Sequence, residues 1–444
     1  MIKTKTLLYI FIMINVQLVF GQTSQSETIA ENPYLAKPKG PYQVSFKDYH
    51  YINTKICPDA NYTSSNQSYF SPDNPNHCHE IMVRIYYPSN SFTSEPYATY
   101  YKPALQGIKL NVLGDPEIDP NQVGQLDSLL SYTKPKLPVA EGSFPVILFS
   151  PGLGTNVQIY ENIITQLVSQ GYIIVGINSL FISGNIQLPN DKIVQNQFDG
   201  NKSFLTVYPV QLSDLEYIYK QIHKSDKRVF AAMDLGHIGV LGHSLGGLAI
   251  VDAAHKHQNW FQAVATMDEG SMPEPAASEI YYSKLTTPVL YLYAAYSYFW
   301  RTQSLHTPTQ DIDAAYTVAI TPALTNSTYS GHWNFMDLST LQYQPLIKKS
   351  FDDYNRKNSG PRFIGDGNGV DITNTINAYL LNFFNFYLKN NGNGDNPFTG
   401  CNPLNPLAKN SLILCGPSTW PPLSYNSWNL WFLFTMNGNK YLNQ

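Results

Sequence analysis

Residues 238–247 read IGVLGHSLGG, an apolar run carrying β-branched Ile238 and Val240 that stops at a serine set between glycines. Leu248, Ala249, Ile250, Val251, Ala253 and Ala254 follow as compact helix formers, so the stretch reads as a buried strand turning sharply into a helix. Gly242 and Gly246 occupy the two positions where a side chain would collide with the neighbouring strand or helix, and the hydroxyl of Ser244 is left exposed above the sheet edge. In a chain with 28 glycines the five-residue pattern is weak alone. Its place between a strand pattern and a helix pattern is what gives it weight.

The same alternation surrounds it. Residues 145–150 (PVILFS) form a continuous apolar strand, followed by Pro151, Gly152, Leu153 and Gly154, a helix over 157–170 closed by Gly171, and a strand at 172–177 (YIIVGI). That order predicts a parallel sheet. A helix is expected over 210–224, strands at 261–267, 288–294 and 316–321, the last of the series, and a helix over 371–389 with a broad apolar face of Ile372, Ile376, Tyr379, Leu380, Phe383, Phe384 and Phe386. Upstream, the chain alternates from Tyr42, and residues 81–87 (IMVRIYY) make a strong strand. The Pro- and Tyr-rich insertion between Ser89 and Gly142 offers one helix near 122–132. Histidines 255 and 257, after the serine helix, read as a solvated face.

Lys3 and Lys5 precede an apolar run from Leu7 to Phe20 and then a polar stretch, which is the form of a secretory signal peptide. That run is short for a membrane span, and no later segment reaches about 18 uninterrupted apolar residues, so the mature chain is expected to be soluble and secreted. The expected organisation is a signal peptide over 1–21, a flexible leader over 22–40, one α/β domain over 41–390, and an Asn-, Gly- and Pro-rich extension over 391–444. In an exported chain Cys57, Cys78, Cys401 and Cys415 favour disulfides. Proximity suggests Cys57 with Cys78 and Cys401 with Cys415, among the three connectivities that four cysteines allow. Sequons at Asn61, Asn66, Asn201 and Asn326 are candidate glycosylation sites on surface loops. A net charge of −4 without a basic stripe excludes nucleic acid as an expected partner. His77, Cys78, His79 and Glu80 are rich in ligand types but fit no structural zinc spacing, so neither a metal nor another cofactor is expected.

A serine hydroxyl needs an imidazole to take its proton, and the imidazole needs an acid to fix its tautomer. In α/β-hydrolases the chain order is serine, acid, histidine. Asp268 ends the strand that follows the serine unit, where loops of a parallel sheet converge, with Glu269 as its rival. After the next strand no carboxylate occurs until Asp311. His332 lies in a loop beyond the last expected strand, where this fold places its base, whereas His306 precedes that strand. His243 occupies the variable position of the serine motif, where packing is the ordinary role. The oxyanion donors are expected to be the backbone N–H groups of Leu245 and of Leu153, the latter between Gly152 and Gly154.

These residues, with GPYQV at 40–44, VRIYYPS at 83–89, FPVILFSPGLG at 144–154, GHSLGG at 242–247, MDEG at 267–270 and HWNFMD at 332–337, resemble the secreted, serine-dependent platelet-activating factor acetylhydrolase family, especially its microbial relatives. The resemblance implies an α/β-hydrolase fold: a mostly parallel central sheet flanked by helices, here with a loop-rich insertion and a C-terminal extension. It places the nucleophile on Ser244, the acid on Asp268, the base on His332 and the oxyanion donors on Leu153 and Leu245. It also implies calcium-independent hydrolysis of esters with short or oxidised acyl chains, including the acetyl group of ether phospholipids. Two departures border the substrate region: Pro151 stands where the animal enzymes carry a histidine, and Asn178, Ser179, Leu180 and Phe181 replace a charged loop. The alternatives are a general esterase or polyester hydrolase, and, from another class, a catalytically silent binding protein. The expected partner is a lipid or other ester, with transient contact at a lipid interface conceivable through Trp428, Trp431, Phe432 and Phe434, although such a cluster more ordinarily packs on its own domain.

Overall fold

The computed structural model describes residues 32–57, 78–101, 126–195, 204–224, 228–269, 285–294, 315–320, 330–357, 364–365, 367–398 and 411–415, with isolated positions at 103 and 124. The expected signal peptide, the four sequons, His77, His306, Cys401 and the aromatic residues at 428–434 lie outside them.

The described strands are β1 (Gln43–Asn53), β2 (His79–Ser89), β3 (Phe144–Ser150), β4 (Ile173–Ser179), the short pair β5 (Ile186–Gln187) and β6 (Ile193–Val194), β7 (Met233–His243), β8 (Ala263–Met267), β9 (Val289–Ala294), β10 (Ala315–Ile320) and β11 (Ser411–Cys415). Nine of them make one sheet in the order β1-β2-β4-β3-β7-β8-β9-β10-β11. From β4 through β10 every neighbouring pair is parallel, and β1, β2 and β11 run antiparallel at the edges.

Parallel strands covered on both faces read as unbroken apolar runs, because side chains alternate between two buried layers. In β3, Ile147 and Phe149 face one core while Val146 and Leu148 face the other. The first layer is closed by helices α1 (Glu161–Ser169) and α5 (Gly369–Phe384), the second by α2 (Phe204–Ile222) and α3 (Leu245–Lys256). A further helix, α4 (Pro345–Lys357), precedes α5. All seven apolar residues expected on the last helix are buried, Phe386 in the π-turn that extends α5. Each fully buried Ile, Leu or Phe there contributes roughly 1.5–3 kcal/mol.

The order of the strands also locates the site. From β3 the chain crosses through α1 to β4 on one side, then through α2 back over β3 to β7 on the other. The connections after β3 and β7 therefore diverge, and a crevice opens at the carboxyl ends of these two strands.

Three expectations differ from the structure. Of the residues expected to form a helix near 122–132, those from Leu126 onward make a turn followed by extended backbone, in which Leu130 bridges Thr99 and, just beyond, Thr133 bridges Val44. Leu126, Leu129 and Tyr132 are buried at a helix-like spacing, but long-range backbone pairing takes the hydrogen bonds that a helix would have used. Residues 32–40, expected within a flexible leader, are tied to α1: Ala36 N–H donates to Asn162 Oδ1 and Gly40 N–H to Ser169 Oγ. The strand at β10 is not the last, since β11 in the expected extension pairs with it as an antiparallel edge. Cys57 and Cys78 are joined by a disulfide, while the suggested Cys401–Cys415 bond falls on Cys401, outside the described residues.

Candidate active site

Ser244 follows β7 with φ 52° and ψ −121°, a conformation that L-residues adopt only when their surroundings impose it. Those surroundings are visible in its neighbours. A Cβ at Gly246 would lie 2.2 Å from the Ser150 carbonyl oxygen, and one at Gly242 would lie 2.6 Å from the Gly246 oxygen. Only glycine allows the turn to press so closely on β3. Ser244 N–H donates to Met267 O, which locks the elbow to β8, and the Ser244 hydroxyl is hydrogen-bonded to nothing among the described residues.

Asp268 comes immediately after β8, beside the elbow, at φ 42° and almost fully buried. Its Oδ1 accepts the Ala294 N–H at 2.9 Å, and its Oδ2 pairs with His332 Nδ1 at 2.5 Å. The rival Glu269 points elsewhere: its Oε1 accepts the Tyr293 hydroxyl, and its Cβ packs at the Gly247 turn of α3. His332 opens a 3-10 turn, His332–Phe335, with its ring about a quarter exposed. That ring lies against His243, the residue before Ser244, tilted by 32° with centroids 4.5 Å apart. The structure thus brings the expected acid and base, Asp268 and His332, into a hydrogen bond and sets His332 against the elbow. A Ser244–His332 hydrogen bond is not among those formed by the described residues, a separation that a bound ester and its transition state commonly tighten.

The base loop is fixed from below. Asn334 Oδ1 accepts the N–H groups of Gly331 and Gly365. Asp337 accepts the Glu161 and Asn162 N–H groups and the Tyr100 hydroxyl, each at 2.8 Å, so its carboxylate caps the start of α1 where the helix dipole favours negative charge. Burial, with Glu161 next, nevertheless pushes the Asp337 carboxyl well above the usual range. Burial likewise raises Glu161 to about 7.

On the opposite wall, Gly152 lies against the elbow: a Cβ there would be 3.0 Å from His243 Nδ1 and 3.2 Å from Ser244 Cβ. The next residue, Leu153, and the first residue of α3, Leu245, have backbone N–H groups that donate to no group among the described residues. Two free N–H groups flanking a serine hydroxyl are what a developing oxyanion requires. The side chains of both leucines are buried in one apolar cluster with Leu180, Phe181, Ile182, Val207 and Leu248.

Sequence reasoning missed Tyr160, Thr155 and the part taken by His243. His243 is buried and fully hydrogen-bonded, to Tyr160 through Nδ1 and to the His332 carbonyl through Nε2. His257, expected on a solvated face, instead stacks on Trp260 and pairs with Glu216, a contact that covers both. In the ligand-rich stretch, Cys78 is taken by its disulfide, His79 by Asp214 and Glu80 by His50. Among the described residues no cluster could hold a metal ion, and no helix is long and apolar enough to cross a membrane.

A mostly parallel sheet of this strand order, with a serine on a strained turn after β7 and a carboxylate and a histidine supplied after β8 and β10, is the α/β-hydrolase fold. Over residues 33–180 it matches the model of the family described as platelet-activating factor acetylhydrolase, isoform II, which supports a carboxylic ester hydrolase. The structure is similar to a ferulic acid esterase from Streptomyces cinnamoneus, with a TM-score of 0.62 at 19% identity, over 86% of this chain and 99% of that one. At this identity the likeness speaks to the fold. No curated protein sequence matches the chain.

Proposed function

We propose that the chain is a secreted serine carboxylic ester hydrolase that removes short acyl groups from phospholipids through an acyl-enzyme. Ser244 Oγ attacks the ester carbonyl as His332 Nε2 takes its proton, and the Leu153 and Leu245 N–H groups receive the oxyanion. His332 then protonates the leaving alkoxide, and water activated by the same imidazole releases the acid. Asp268 fixes the His332 tautomer and stabilises the imidazolium. The observation that carries this reading is the 2.5 Å Asp268–His332 bond beside a serine held in a strained turn with its hydroxyl unbonded among the described residues. The apolar cluster around the two oxyanion residues supports an apolar acyl group, and the family match supports the phospholipid ester. A general esterase or polyester hydrolase is the second reading, favoured by Pro151 and by the uncharged 178–181 segment.

A fluorophosphonate probe tests the chemistry: labelling of the folded chain that disappears in Ser244→Ala is expected, and undiminished labelling of that variant would remove the assignment. Hydrolysis of acetyl, butyryl and long-chain phosphatidylcholines, set beside p-nitrophenyl esters, tests the substrate. Cleavage of the p-nitrophenyl esters alone would select the second reading, and a folded chain inert to probe and esters alike would leave a binding protein.

A further inference from the structure

The residue before the nucleophile sits at the centre of a hydrogen-bond chain that joins the oxyanion loop to the His332 loop. His243 Nε2 lies 3.2 Å from the main-chain oxygen of His332. A carbonyl can only accept, so Nε2 carries a proton. Burial, and then the neighbouring His332, hold the His243 imidazole well below the ordinary histidine range. The ring is therefore neutral and Nδ1 is an acceptor. Its partner is the Tyr160 hydroxyl at 2.8 Å, whose proton is thereby assigned. The Tyr160 oxygen in turn accepts the Gly152 N–H at 3.1 Å, and Thr155 Oγ1, 2.9 Å from it, donates to the Gly152 carbonyl at 2.7 Å. The three bonds from Gly152 N–H through Tyr160 and His243 to the His332 carbonyl run in one direction, from the oxyanion loop to the base, while the Thr155 proton stays within the loop on the Gly152 carbonyl.

We propose that His243 is a positioning residue which, through Tyr160, holds the oxyanion loop and the general base in one frame. One end of the chain sets the main chain of His332, the other the peptide that precedes the Leu153 N–H. The inference rests on the hydrolase reading given above. It assigns work to the variable position of the serine motif, and makes Tyr160, on the turn Val157–Tyr160, a specific part of the site. Both residues act through others and neither touches the reacting atoms.

Removing an oxyanion donor outright costs ~10²–10³ in kcat, and misplacing a reacting group by about 1 Å costs ~10²-fold. Tyr160→Phe and His243→Phe keep the rings and break the chain, so kcat for p-nitrophenyl acetate is expected to fall by roughly 10–100-fold with KM within about threefold, because the lost interaction matters in the transition state. The double variant is expected to fall no further than the worse single one, since one chain is broken once. His243→Gln, which can still reach the His332 carbonyl, is expected to recover part of the loss. Thermal melting establishes which variants fold, and if His243→Phe does not, Tyr160→Phe and His243→Gln carry the test. Wild-type kcat in folded Tyr160→Phe, or independent, multiplicative losses in the double variant, would overturn the inference. If Ser244→Ala retained activity, the hydrolase reading itself would fail, whatever the His243 variants do.

Discussion

Asp268→Asn isolates the role of the acid, because the structure dictates how the amide would sit. Ala294 N–H meets the carboxylate on Oδ1 at 2.9 Å and His332 Nδ1 meets it on Oδ2 at 2.5 Å. An amide has one acceptor oxygen. If that oxygen stays on Ala294 N–H, the NH₂ faces His332 Nδ1, which must become an acceptor, and the ring proton moves to Nε2, where the serine proton should go. The reverse placement sets the NH₂ against the Ala294 N–H, two buried donors face to face, at a cost of about 1–3 kcal/mol. The wrong tautomer is therefore the stable one. For such a substitution the expected loss is roughly 10⁴ in kcat, about 5.4 kcal/mol of barrier. Misfolding should not confuse the result, since Asn tolerates the positive φ that Asp268 adopts. The assay is steady-state hydrolysis of p-nitrophenyl acetate by variants with matched thermal melting, with Glu269→Gln as the comparison. Glu269 serves Tyr293, so its amide should leave kcat within about fivefold, the modest cost of changing a neighbouring buried hydrogen bond. An Asp268→Asn enzyme keeping more than a tenth of wild-type kcat, or a Glu269→Gln enzyme losing as much, would refute the assignment.

Gly246→Ala would place a Cβ 2.2 Å from the Ser150 oxygen and 2.5 Å from that of Pro151, so the elbow must shift; a loss of about 1–3 kcal/mol in urea denaturation and loss of fluorophosphonate labelling are expected. Reduction of Cys57–Cys78, or Cys57→Ser with Cys78→Ser, opens a loop with a sequence separation of 21 residues and should lower unfolding free energy by about 3 kcal/mol, with unchanged urea stability as the contrary result. Glu161 titrates at about 7 in the folded state against an ordinary 4.5, so the folded chain holds the extra proton between these values. The stability it contributes is complete below pH 4.5 and is lost as pH rises through about 7, on the order of 3 kcal/mol in all. Glu161→Gln should flatten that decline when urea unfolding is compared at pH 5 and pH 8. An unchanged slope would show that the group does not titrate in this way.

What could be seen in the sequence follows from which interactions leave a local pattern. The central strands were legible because a strand buried on both faces must be apolar at every position, as PVILFS and YIIVGI are, and α5 because one buried face imposes a helical period on Ile372, Ile376, Leu380 and Phe383. Leu126, Leu129 and Tyr132 carry a similar spacing without a helix, since here the period arises from three residues separately meeting the core while their backbone pairs with Thr99 and Val44. The β11 signal, Leu412, Ile413 and Leu414, is short, and its polar surroundings reflect an edge strand's one-sided pairing. Asp268 and His332 could be named although 64 residues separate them, because the sheet forces the ends of successive parallel strands to one rim and so turns a spatial requirement into an order along the chain. Tyr160 and His243 meet across 83 residues by the same kind of hydrogen bond, yet no rule of order attaches to them. A tyrosine on the turn after β3 and a histidine before the nucleophile are each explained by packing until both are seen to share a proton chain that ends on the base. Strand order makes the groups at the strand ends legible, and groups that act through a neighbour are found only in the folded molecule.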